Sequence, residues 1–498
     1  MRPDVQTLII GAGFSGIGVA IALDRAGLGD YRIIEAAAGV GGTWYWNTYP
    51  GIAVDIPSFS YQFSFEQSSR WTRTYAPGRE LRAYAEHCAD KYGVRPRIRF
   101  NTTVVGVAFD DGAGLWRVDL DSGERLTARF LINAGGALTI PNLPRIEGLA
   151  DFAGPTMHTA RWDHRQDLAD KNVAIIGTGA SAVQVIPELA AAVRHLTVFQ
   201  RTPIWCFPKF DVPLPAAARA LMRIPGGKSL HRWISQAYVE LTFPIAAHYF
   251  TLNPFAKRMS EAGKAYLRRE VHDPEVRAKL TPGYAVGCKR PGFHNTYLST
   301  FNRDNVDLVT EPIERITADG VVTADARVHN ADVLILATGF KVMDIDSVAY
   351  PITGSGGLSL IDYWDTHRFR AYEGVTVPGF PNMFFVFGPY GYVGSSYFAL
   401  IEAQSHHIVR CLTHAVRRGA NRIEVKTEAS DRFFAEMLGK RHRQIFWQDS
   451  CKLANSYYFD KHGDVPLRPD TTLRAFWRSR RFPLSDYEFD SAETTRSS

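Results

Sequence analysis

The stretch Leu8–Gly16 (LIIGAGFSG) decides how the N-terminal part of this chain folds. Three apolar residues suited to a buried strand run directly into a G-x-G-x-x-G turn, and a helix-patterned segment follows. A second short strand, Tyr31–Glu35, closes the unit. This order predicts a βαβ unit in which glycines let the backbone approach a pyrophosphate at the N-terminus of the helix.

The same arrangement returns further along the chain. The run Val173–Ala182 (VAIIGTGASA) leads from an apolar strand through a glycine turn into a helix, and the strand Leu196–Arg201 follows. One such turn is a weak signal, whereas two in the same context indicate two dinucleotide-binding units. The residues expected at the cofactor phosphates are Gly11, Gly13, Phe14, Ser15 and Gly16 in the first turn and Gly177, Thr178, Gly179, Ala180, Ser181 and Ala182 in the second.

The residue that closes each second strand distinguishes the two cofactors. Glu35 stands 24 residues after Gly11, where a carboxylate accepts hydrogen bonds from a ribose diol and repels a 2′-phosphate. Arg201 stands 24 residues after Gly177, and its guanidinium suits a 2′-phosphate by charge and by its fork of donors. This contrast points to FAD in the first unit and NADPH in the second.

The composition is that of a globular protein. The 498 residues include 57 Lys plus Arg and 51 Asp plus Glu, so the formal net charge is +6. Hydrophobic residues make up 45%, which argues against a disordered chain, and the absence of a Lys/Arg run argues against a nucleic-acid partner. The N-terminus has no signal-peptide pattern, and the longest uncharged stretch, residues 241–256, is interrupted by prolines and polar residues. A cytoplasmic protein without an integral membrane segment is therefore expected.

The five cysteines are far apart and form no C-x-x-C pair. This spacing excludes a zinc ribbon and a vicinal dithiol centre, and it argues against a disulfide framework. We expect the cysteines to be reduced, and we expect no metal site.

The pattern along the chain predicts an α/β fold with two Rossmann-like dinucleotide-binding domains and a helical insertion. Alternating residues in 97–133 predict a β-meander between the two units, and residues 206–284 turn rich in Ala, Leu, Arg and aromatics at helical spacing. The expected ranges are an FAD-binding domain of residues 1–147 and 375–498, an NADP-binding domain of 148–205 and 285–374, a helical insertion of 206–284, and a disordered tail of 486–498.

The segments around the two units resemble a known family. Gly41–Asp55 (GGTWYWNTYPGIAVD) is similar to the flavin-side signature of class B flavoprotein monooxygenases. Phe152–Asp163 (FAGPTMHTARWD) resembles the F-x-G-x-x-x-H-x-x-x-W-[P/D] fingerprint of type I Baeyer–Villiger monooxygenases. Ala337–Phe340 (ATGF), Gly287–Arg290 (GCKR) and Phe301–Val306 (FNRDNV) also fit that family.

The resemblance implies a reaction. NADPH would reduce FAD, O₂ would add at flavin C4a, and the resulting peroxyflavin would attack a small-molecule ketone to give an ester or lactone. The flavin carries the difficult steps, so the protein must orient the reactants, exclude water and supply charge. In the family, the fixed cation beside the flavin is the arginine that matches Arg290, and the carboxylate that holds it matches Asp55.

The resemblance also implies roles for other residues. Lys289 would join Arg201 and Thr202 at the 2′-phosphate, and His158 would couple domain movement rather than exchange protons. The remaining residues expected at the cofactors are Gly42, Thr43, Trp44, Tyr61, Val104, Gln184 and Tyr457. Tyr457 stands where many members have a tryptophan that contacts the nicotinamide half of NADP, so the sequence departs from the family at this position.

Three alternative functions compete with this interpretation. An N- or S-oxygenating flavin monooxygenase shares the plan but commonly lacks both the Trp162-Asp163 ending and an arginine in the place of Arg290. A pyridine-nucleotide disulfide reductase also shares it but needs a redox dithiol, and a flavoprotein sensor gives no reason for Arg290 and Asp55.

The aromatic residues of the insertion are expected to pack its helices, and a minority of them could instead line the ketone pocket. These residues are Trp233, Tyr238, Phe243, Tyr249 and Phe250.

Overall fold

The strand that begins the stretch Leu8–Gly16 lies inside an eight-stranded sheet in the computed structural model of the protein. The structure describes residues 2–248, 255–342 and 347–491. The strands in these residues are β1 (Val5–Ile10), β2 (Tyr31–Ile34), β3 (Ile98–Arg99), β4 (Val104–Asp110), β5 (Leu115–Leu120), β6 (Arg125–Asn133), β7 (Thr156–His158), β8 (Asn172–Ile176), β9 (His195–Phe199), β10 (Cys206–Phe207), β11 (Gly292–Phe293), β12 (Val306–Val309), β13 (Ile313–Thr317), β14 (Gly320–Thr323), β15 (Val328–Asn330), β16 (Val333–Leu336), β17 (Ile352–Thr353), β18 (Met383–Phe385), β19 (Arg422–Val425) and β20 (Tyr487–Asp490).

The α-helices alternate with these strands in the two units and cluster in the insertion, which lies between β10 and β11 in the chain. In chain order they are α1 (Phe14–Arg25), α2 (Thr43–Trp46), α3 (Gly78–Lys91), α4 (Ala180–Ala192), α5 (Ala216–Leu221), α6 (Gly227–His248), α7 (Phe255–Glu270), α8 (Pro274–Lys279), α9 (Tyr297–Thr300), α10 (Leu360–His367), α11 (Tyr397–Arg418), α12 (Thr427–Lys440) and α13 (Thr472–Arg481).

The first sheet joins the N-terminal βαβ unit to the predicted meander. Its strand order is β17-β4-β5-β6-β1-β2-β3, with β18 also beside β6. β1 runs parallel to β2 and β6, whereas β4, β5 and β6 pair antiparallel in succession. Helices α1 and α11 pack on this sheet, and the rings of Phe14 and Phe398 meet at 4.6 Å between centroids. The βαβ unit and the meander are therefore confirmed.

The second sheet is built from the second glycine unit. Its order is β12-β9-β8-β16-β7, and all of its pairings are parallel. A separate antiparallel sheet of β13, β14 and β15 lies between β12 and β16 in the chain. Parallel strands buried on both faces read as continuous apolar runs, as Val333–Leu336 does. The predicted α/β fold with two Rossmann-type sheets is confirmed.

Two elements of the structure fall on the other side of boundaries expected from the sequence, and the domain ranges stay predictions. The short strand β17 pairs with β4 of the first sheet, and Trp364 of α10 packs against Phe385 of the same sheet, so the chain returns to the first unit near residue 350 rather than at 375. The end of the chain is also ordered further than expected, because β20 pairs antiparallel with β19 up to Asp490. Both elements are too short to leave a clear hydrophobic period in the sequence. Residues 492–498 lie outside the described residues.

The insertion is helical as predicted, but its aromatics do not all pack inside. It contains α5, α6, α7 and α8, and Met222 and Val239 join the core of the first unit. Trp233 is 76% exposed and Tyr238 is 37% exposed, so the prediction that they pack the helices is wrong for Trp233. Tyr249 and Phe250 lie outside the described residues, as does the side chain of Phe243. Among the residues that the structure describes, no helix is long and apolar enough to cross a membrane.

Candidate active site

The first glycine turn follows β1 with no room for side chains. Gly11 has φ +102°, and a Cβ at this position would lie 2.8 Å from the carbonyl oxygen of Ala134. A Cβ at Gly16 would lie 1.9 Å from the carbonyl oxygen of Gly11, so helix α1 begins in direct contact with the turn. Gly13 stands immediately before α1, and the buried residues Phe14 and Ser15 begin the helix. This arrangement directs backbone N–H groups and the positive end of the helix dipole at the same point.

Glu35 lies at the end of β2 beside this turn. Its carboxylate is buried and accepts hydrogen bonds from the backbone N–H of Ala12 at 2.6 Å and of Ala37 at 2.8 Å. Burial raises the pKa of Glu35 above its usual value, and the backbone donors offset part of that rise. Val104 is buried at the start of β4, two residues after Thr102, whose N–H donates to the carbonyl of Glu35 at 3.0 Å. The turn, Glu35 and Val104 therefore lie in one region.

The segment Gly41–Asp55 lies over the same turn. Gly42 has φ +55°, and a Cβ there would lie 3.0 Å from the Cα atom of Gly13. Thr43 begins the short helix α2, and the indole N–H of Trp44 donates to the hydroxyl of Tyr61 at 3.3 Å. The rings of Trp44 and Tyr61 meet edge to face at 5.8 Å between centroids. The predicted flavin-side residues are thus brought together.

The second glycine turn repeats the close packing of the first. Gly177 has φ +113°, and a Cβ there would lie 2.5 Å from the carbonyl oxygen of Ala337. The hydroxyl of Thr178 donates to the carbonyl of Thr202 at 3.2 Å, which fixes the strand-end loop beside the turn. Gly179 precedes α4, and the helix begins with Ala180, Ser181 and the fully buried Ala182.

Arg201 and Lys289 place two positive charges beside the second turn. Burial lowers the pKa of Lys289, and the charge of Arg201 lowers it further. Within the described residues, Lys289 forms no ion pair. The hydrogen-bond partner of the Arg201 guanidinium is a neutral side-chain amide rather than a carboxylate. The Asn455 amide, oriented with its oxygen toward the guanidinium, accepts from Arg201 Nε at 2.9 Å and Nη2 at 2.7 Å. Two neighbouring cations without a carboxylate fit a dianionic phosphate.

Gln184 connects α4 to the segment of the first unit that ends in Asp55. Its amide oxygen accepts from the hydroxyl of Tyr49 at 3.1 Å, and its amide nitrogen donates to the carbonyl of Ala53 at 2.8 Å. A Cβ at Gly51 would lie 2.6 Å from the carbonyl oxygen of Gln184, so the two backbones are in direct contact. The predicted cofactor residue Gln184 therefore joins the two dinucleotide units next to Asp55.

Arg290 and Asp55 form a two-point ion pair between these units. Arg290 Nε donates to Oδ2 and Nη2 donates to Oδ1 of Asp55, each at 2.8 Å. The two side chains are 22% and 28% exposed, so the pair is shielded on most sides and open on one. Burial opposes the charge on Arg290, but Asp55 and the neighbouring hydroxyl of Tyr392 outweigh it, and the pKa stays well above its usual value. The pair therefore presents a permanent, fixed cation.

The C-terminal segment 449–458 lies close to this cation. Tyr457 is 42% exposed, and its ring lies 4.5 Å from that of Tyr458 between centroids. Both phenols are near enough to Arg290 to affect its ionisation. The tyrosine that replaces the family's tryptophan thus lies near the predicted catalytic arginine, with a smaller ring and its hydroxyl 3.4 Å from that of Tyr458.

His158 is buried in the fingerprint segment, where the backbone holds its ring. Its Nδ1 accepts from the backbone N–H of Ala160 at 3.0 Å, and burial followed by the charge of Arg161 lowers its pKa to about 4. A neutral ring held by the backbone agrees with a structural role in the fingerprint segment. The expectation that His158 does no direct proton chemistry is consistent with this environment.

A disulfide joins Cys288 to Cys451, although the cysteine spacing argued against a disulfide framework. The two residues are 163 positions apart, and their Cα atoms lie 5.0 Å apart. Both are buried with Trp205, Ile445 and Phe446 in one apolar cluster. Cys288 precedes Lys289 and Arg290, so the bond links their loop to the segment that carries Asn455 and Tyr457. Only the three-dimensional fold brings these distant cysteines together, because no local spacing signals such a pair.

Comparison with known proteins places the chain among flavin-dependent monooxygenases. The profile of the pyridine nucleotide-disulphide oxidoreductase family matches residues 8–214. A Baeyer-Villiger monooxygenase of Streptomyces coelicolor is 36% identical over 493 residues, which is 97% of this chain and 92% of that protein. A Baeyer-Villiger monooxygenase of Pseudomonas aeruginosa is also 36% identical, over 97% of this chain and 91% of that protein.

The solved structures give the same grouping. The structure of OTEMO in complex with FAD and NADP has a TM-score of 0.88 at 28% identity and covers 98% of this chain and 100% of that chain. The closed structure of cyclohexanone monooxygenase has a TM-score of 0.86 at 30% identity, with 98% and 99% of the two chains covered. The fold of this chain is therefore that of these enzymes.

Proposed function

The chain belongs to the Baeyer–Villiger monooxygenase family, and we propose that Arg290, held by Asp55, is the catalytic residue of its NADPH- and O₂-dependent oxidation of a ketone to an ester or lactone. The enzyme is an FAD-dependent monooxygenase that uses NADPH and acts on a small molecule. The observation that carries the assignment of Arg290 is the two-point pair with Asp55, because it fixes a shielded cation between the two glycine turns.

The first glycine turn fits FAD. Gly11 and Gly16 leave no space for side chains, and Gly13 adds none, so a pyrophosphate can reach the backbone donors that begin α1. Glu35 supplies a buried carboxylate for a ribose diol, with Val104 beside it. Gly42, Thr43, Trp44 and Tyr61 cover the flavin end of the site. When bound, FAD accepts hydride from NADPH and activates O₂ for transfer of one oxygen atom to the substrate.

The second turn fits NADPH. Gly177, Gly179 and the first residues of α4 hold the pyrophosphate, while Arg201, Thr202 and Lys289 hold the 2′-phosphate. Gln184 and Tyr457 lie on the nicotinamide side, where the two units meet. Charge supports this assignment of the two cofactors. The second unit has two neighbouring cations, Arg201 and Lys289, whereas the first unit has the carboxylate of Glu35.

Arg290 stabilises negative charge that develops as oxygen is transferred. A guanidinium that is fixed before the reaction needs no reorganisation, and its effect is larger in a site shielded from water than at a surface. Asp55 keeps the guanidinium in one orientation through two hydrogen bonds, so it acts as a positioning residue. Removing one preorganised donor in comparable sites costs about 10²–10³ in rate.

We further propose that the FAD-binding domain consists of the first sheet with its C-terminal helices and that the NADP-binding domain consists of the second sheet. The helical insertion interrupts the NADP-binding domain in the chain, between β9 and β12. We also propose a cytoplasmic location, because NADPH is supplied there. The disulfide is compatible with that compartment, since Cys288 and Cys451 are both buried away from small thiols.

The test is the stoichiometry of the purified yellow enzyme with NADPH, O₂ and a panel of cyclic and long-chain ketones. We expect one NADPH and one O₂ consumed per ester formed. Sulfoxide or N-oxide from sulfides and amines, with no ester from any ketone, would instead identify an N- or S-oxygenase. Anaerobic titration with NADPH tests the disulfide-reductase alternative. A flavin that exchanges electrons with a redox disulfide takes up four electrons, whereas a flavin alone takes up two.

A further inference from the structure

Helix α6 of the insertion carries an apolar stripe on its outer surface. Leu230, Trp233, Ile234 and Leu241 are 60%, 76%, 62% and 65% exposed. Their spacing of three, four and seven residues places them on one face of the helix. A surface helix normally turns its polar face to water, so this stripe is the reverse of the usual pattern.

The opposite face of α6 fixes the helix to the first unit. The hydroxyl of Ser235 lies 2.7 Å from that of Ser60, and Arg232 Nη1 donates to the carbonyl of Gln62 at 2.7 Å. Val239 is fully buried in the core of the first unit. The helix is therefore anchored by one face, and the apolar stripe points away from the protein.

The exposed apolar surface extends beyond α6. Among the described residues, nine of the twenty exposed large apolar side chains lie between Phe210 and Leu241. Leu221 and Ile224, from α5 and the loop after it, are 61% and 55% exposed. Scattered exposed apolar residues are normal, but such a concentration in one segment marks an interaction site. We call residues 210–241 the insertion surface.

The charges of the insertion surface are positive. Residues 212–239 contain no aspartate or glutamate. Their cations are Arg219, Arg223 and Lys228, together with Arg232, which faces the first unit. The acidic residues that flank this stretch are engaged with the rest of the protein: Asp211 pairs with Arg73 at 2.8 Å, and Glu240 accepts from Ser395 at 2.6 Å. An apolar stripe among unopposed cations is complementary to a negatively charged apolar partner.

We propose that the insertion surface docks the enzyme on an anionic phospholipid bilayer. Apolar side chains with a tryptophan enter the boundary between headgroups and acyl chains, and neighbouring Arg and Lys side chains meet the lipid phosphates. Since no described helix can cross a membrane, the contact is at the bilayer surface. A second copy of the chain is the weaker alternative, because two such faces in contact would bring their positive charges together and these charges would repel each other.

The experiment measures binding of the full-length FAD-loaded enzyme to vesicles. Sedimentation uses phosphatidylcholine vesicles with roughly one quarter phosphatidylglycerol, against pure phosphatidylcholine vesicles. We expect the wild-type enzyme to bind the anionic vesicles and to lose most of that binding at high salt. Leu230→Glu/Ile234→Glu should lower the bound fraction about tenfold, and Arg223→Glu/Lys228→Glu should remove the preference for anionic lipid.

The matched control is Leu143→Glu/Val328→Glu, which introduces the same charges at two apolar side chains that are 60% and 55% exposed outside the insertion surface. It should bind vesicles almost as well as the wild type does. All three double variants should keep their FAD and the melting temperature of the wild type. Equal loss in control and test variants, or no vesicle binding by the wild type, would overturn the proposal. A dimer that dissociates in Leu230→Glu/Ile234→Glu, without vesicle binding, would assign the surface to a second copy.

Discussion

Arg290 is held by Asp55, 235 residues away in the chain, through two parallel hydrogen bonds of 2.8 Å. Asp55 ends the signature of the first glycine unit, and Arg290 follows the helical insertion within the second. The bond therefore forms only when the two units are together. It places a permanent cation where both cofactors are expected to meet.

Replacing Arg290 should separate oxygen transfer from the earlier steps. We expect Arg290→Ala to keep bound FAD and NADPH-driven flavin reduction but to lower ester formation by about 10²–10³, because the fixed charge is lost. Ester is measured by gas chromatography and reduction by the flavin absorbance under anaerobic conditions. Arg290→Lys is the matched control, since it keeps the charge without the two-point geometry, and it should recover only part of the rate. Ester formation at the normal rate in Arg290→Ala would remove the residue from this role.

The two cations beside the second turn should determine the preference for NADPH over NADH. Arg201→Ala and Lys289→Ala each remove a charge-assisted hydrogen bond to a 2′-phosphate, worth about 1.5–3 kcal/mol. We expect KM for NADPH to rise by about 10- to 100-fold and KM for NADH to change little. Steady-state kinetics with both nucleotides measure the ratio. An equal rise for both would contradict the assignment of the 2′-phosphate to these residues.

The disulfide between Cys288 and Cys451 should be visible in the intact protein. Of the five cysteines, three are free in the structure, so denatured protein should show three reactive thiols before reduction and five after it. Cross-links that close long loops stabilise proteins by about 2–4 kcal/mol, so Cys451→Ser should melt at a lower temperature. Dithiothreitol should lower the melting temperature of the wild type toward that of the variant and leave the variant unchanged. Five thiols in the untreated enzyme would contradict the pairing.

Acid should weaken the protein partly through Glu66. Burial alone would raise the pKa of this carboxyl, but hydrogen bonds from Lys91, His87 and Tyr92 outweigh it and lower the pKa to about 2. The stabilisation is therefore complete above the ordinary value of 4.5 and is lost as the pH falls from 4.5 toward 2. The denaturant midpoints of the wild type and Glu66→Gln should differ most above pH 5 and converge in acid. Glu86→Gln, which removes an exposed partner of Arg82, is the control and should show a smaller difference.

Much of the fold could be predicted because its signals are local. The apolar strand, the glycine turn and the helix follow one another within Leu8–Arg25, and sterics at Gly11 and Gly16 leave few other residues possible there. The family signatures predict that Asp55 and Arg290 lie in one site. The distance between the two residues along the chain gives no sign of this. Gln184 is expected only among the cofactor residues, and its contacts with Tyr49 and Ala53 of the first unit have no signal in the sequence.

The features that sequence alone did not predict depend on distant parts of the chain. β17 has two residues, and its partner β4 lies more than 240 positions earlier, so neither period nor turn chemistry assigns it to the first sheet. β20 pairs with β19, although the charged end of the chain favours disorder by composition. Trp233 has the helical spacing of a core residue but faces outward. The spacing shows which residues share a face of the helix, but it does not show whether another element packs on that face.

The contact of Asn455 with Arg201 fixes the guanidinium before any nucleotide binds. The amide oxygen takes two of the five N–H groups of the guanidinium, so three remain for a phosphate. A side chain that is already held loses less rotamer freedom when it binds a ligand, and this favours affinity. Asn455 stands two residues before Tyr457, so the segment that lies near Arg290 also helps to orient the cation expected at the adenosine end.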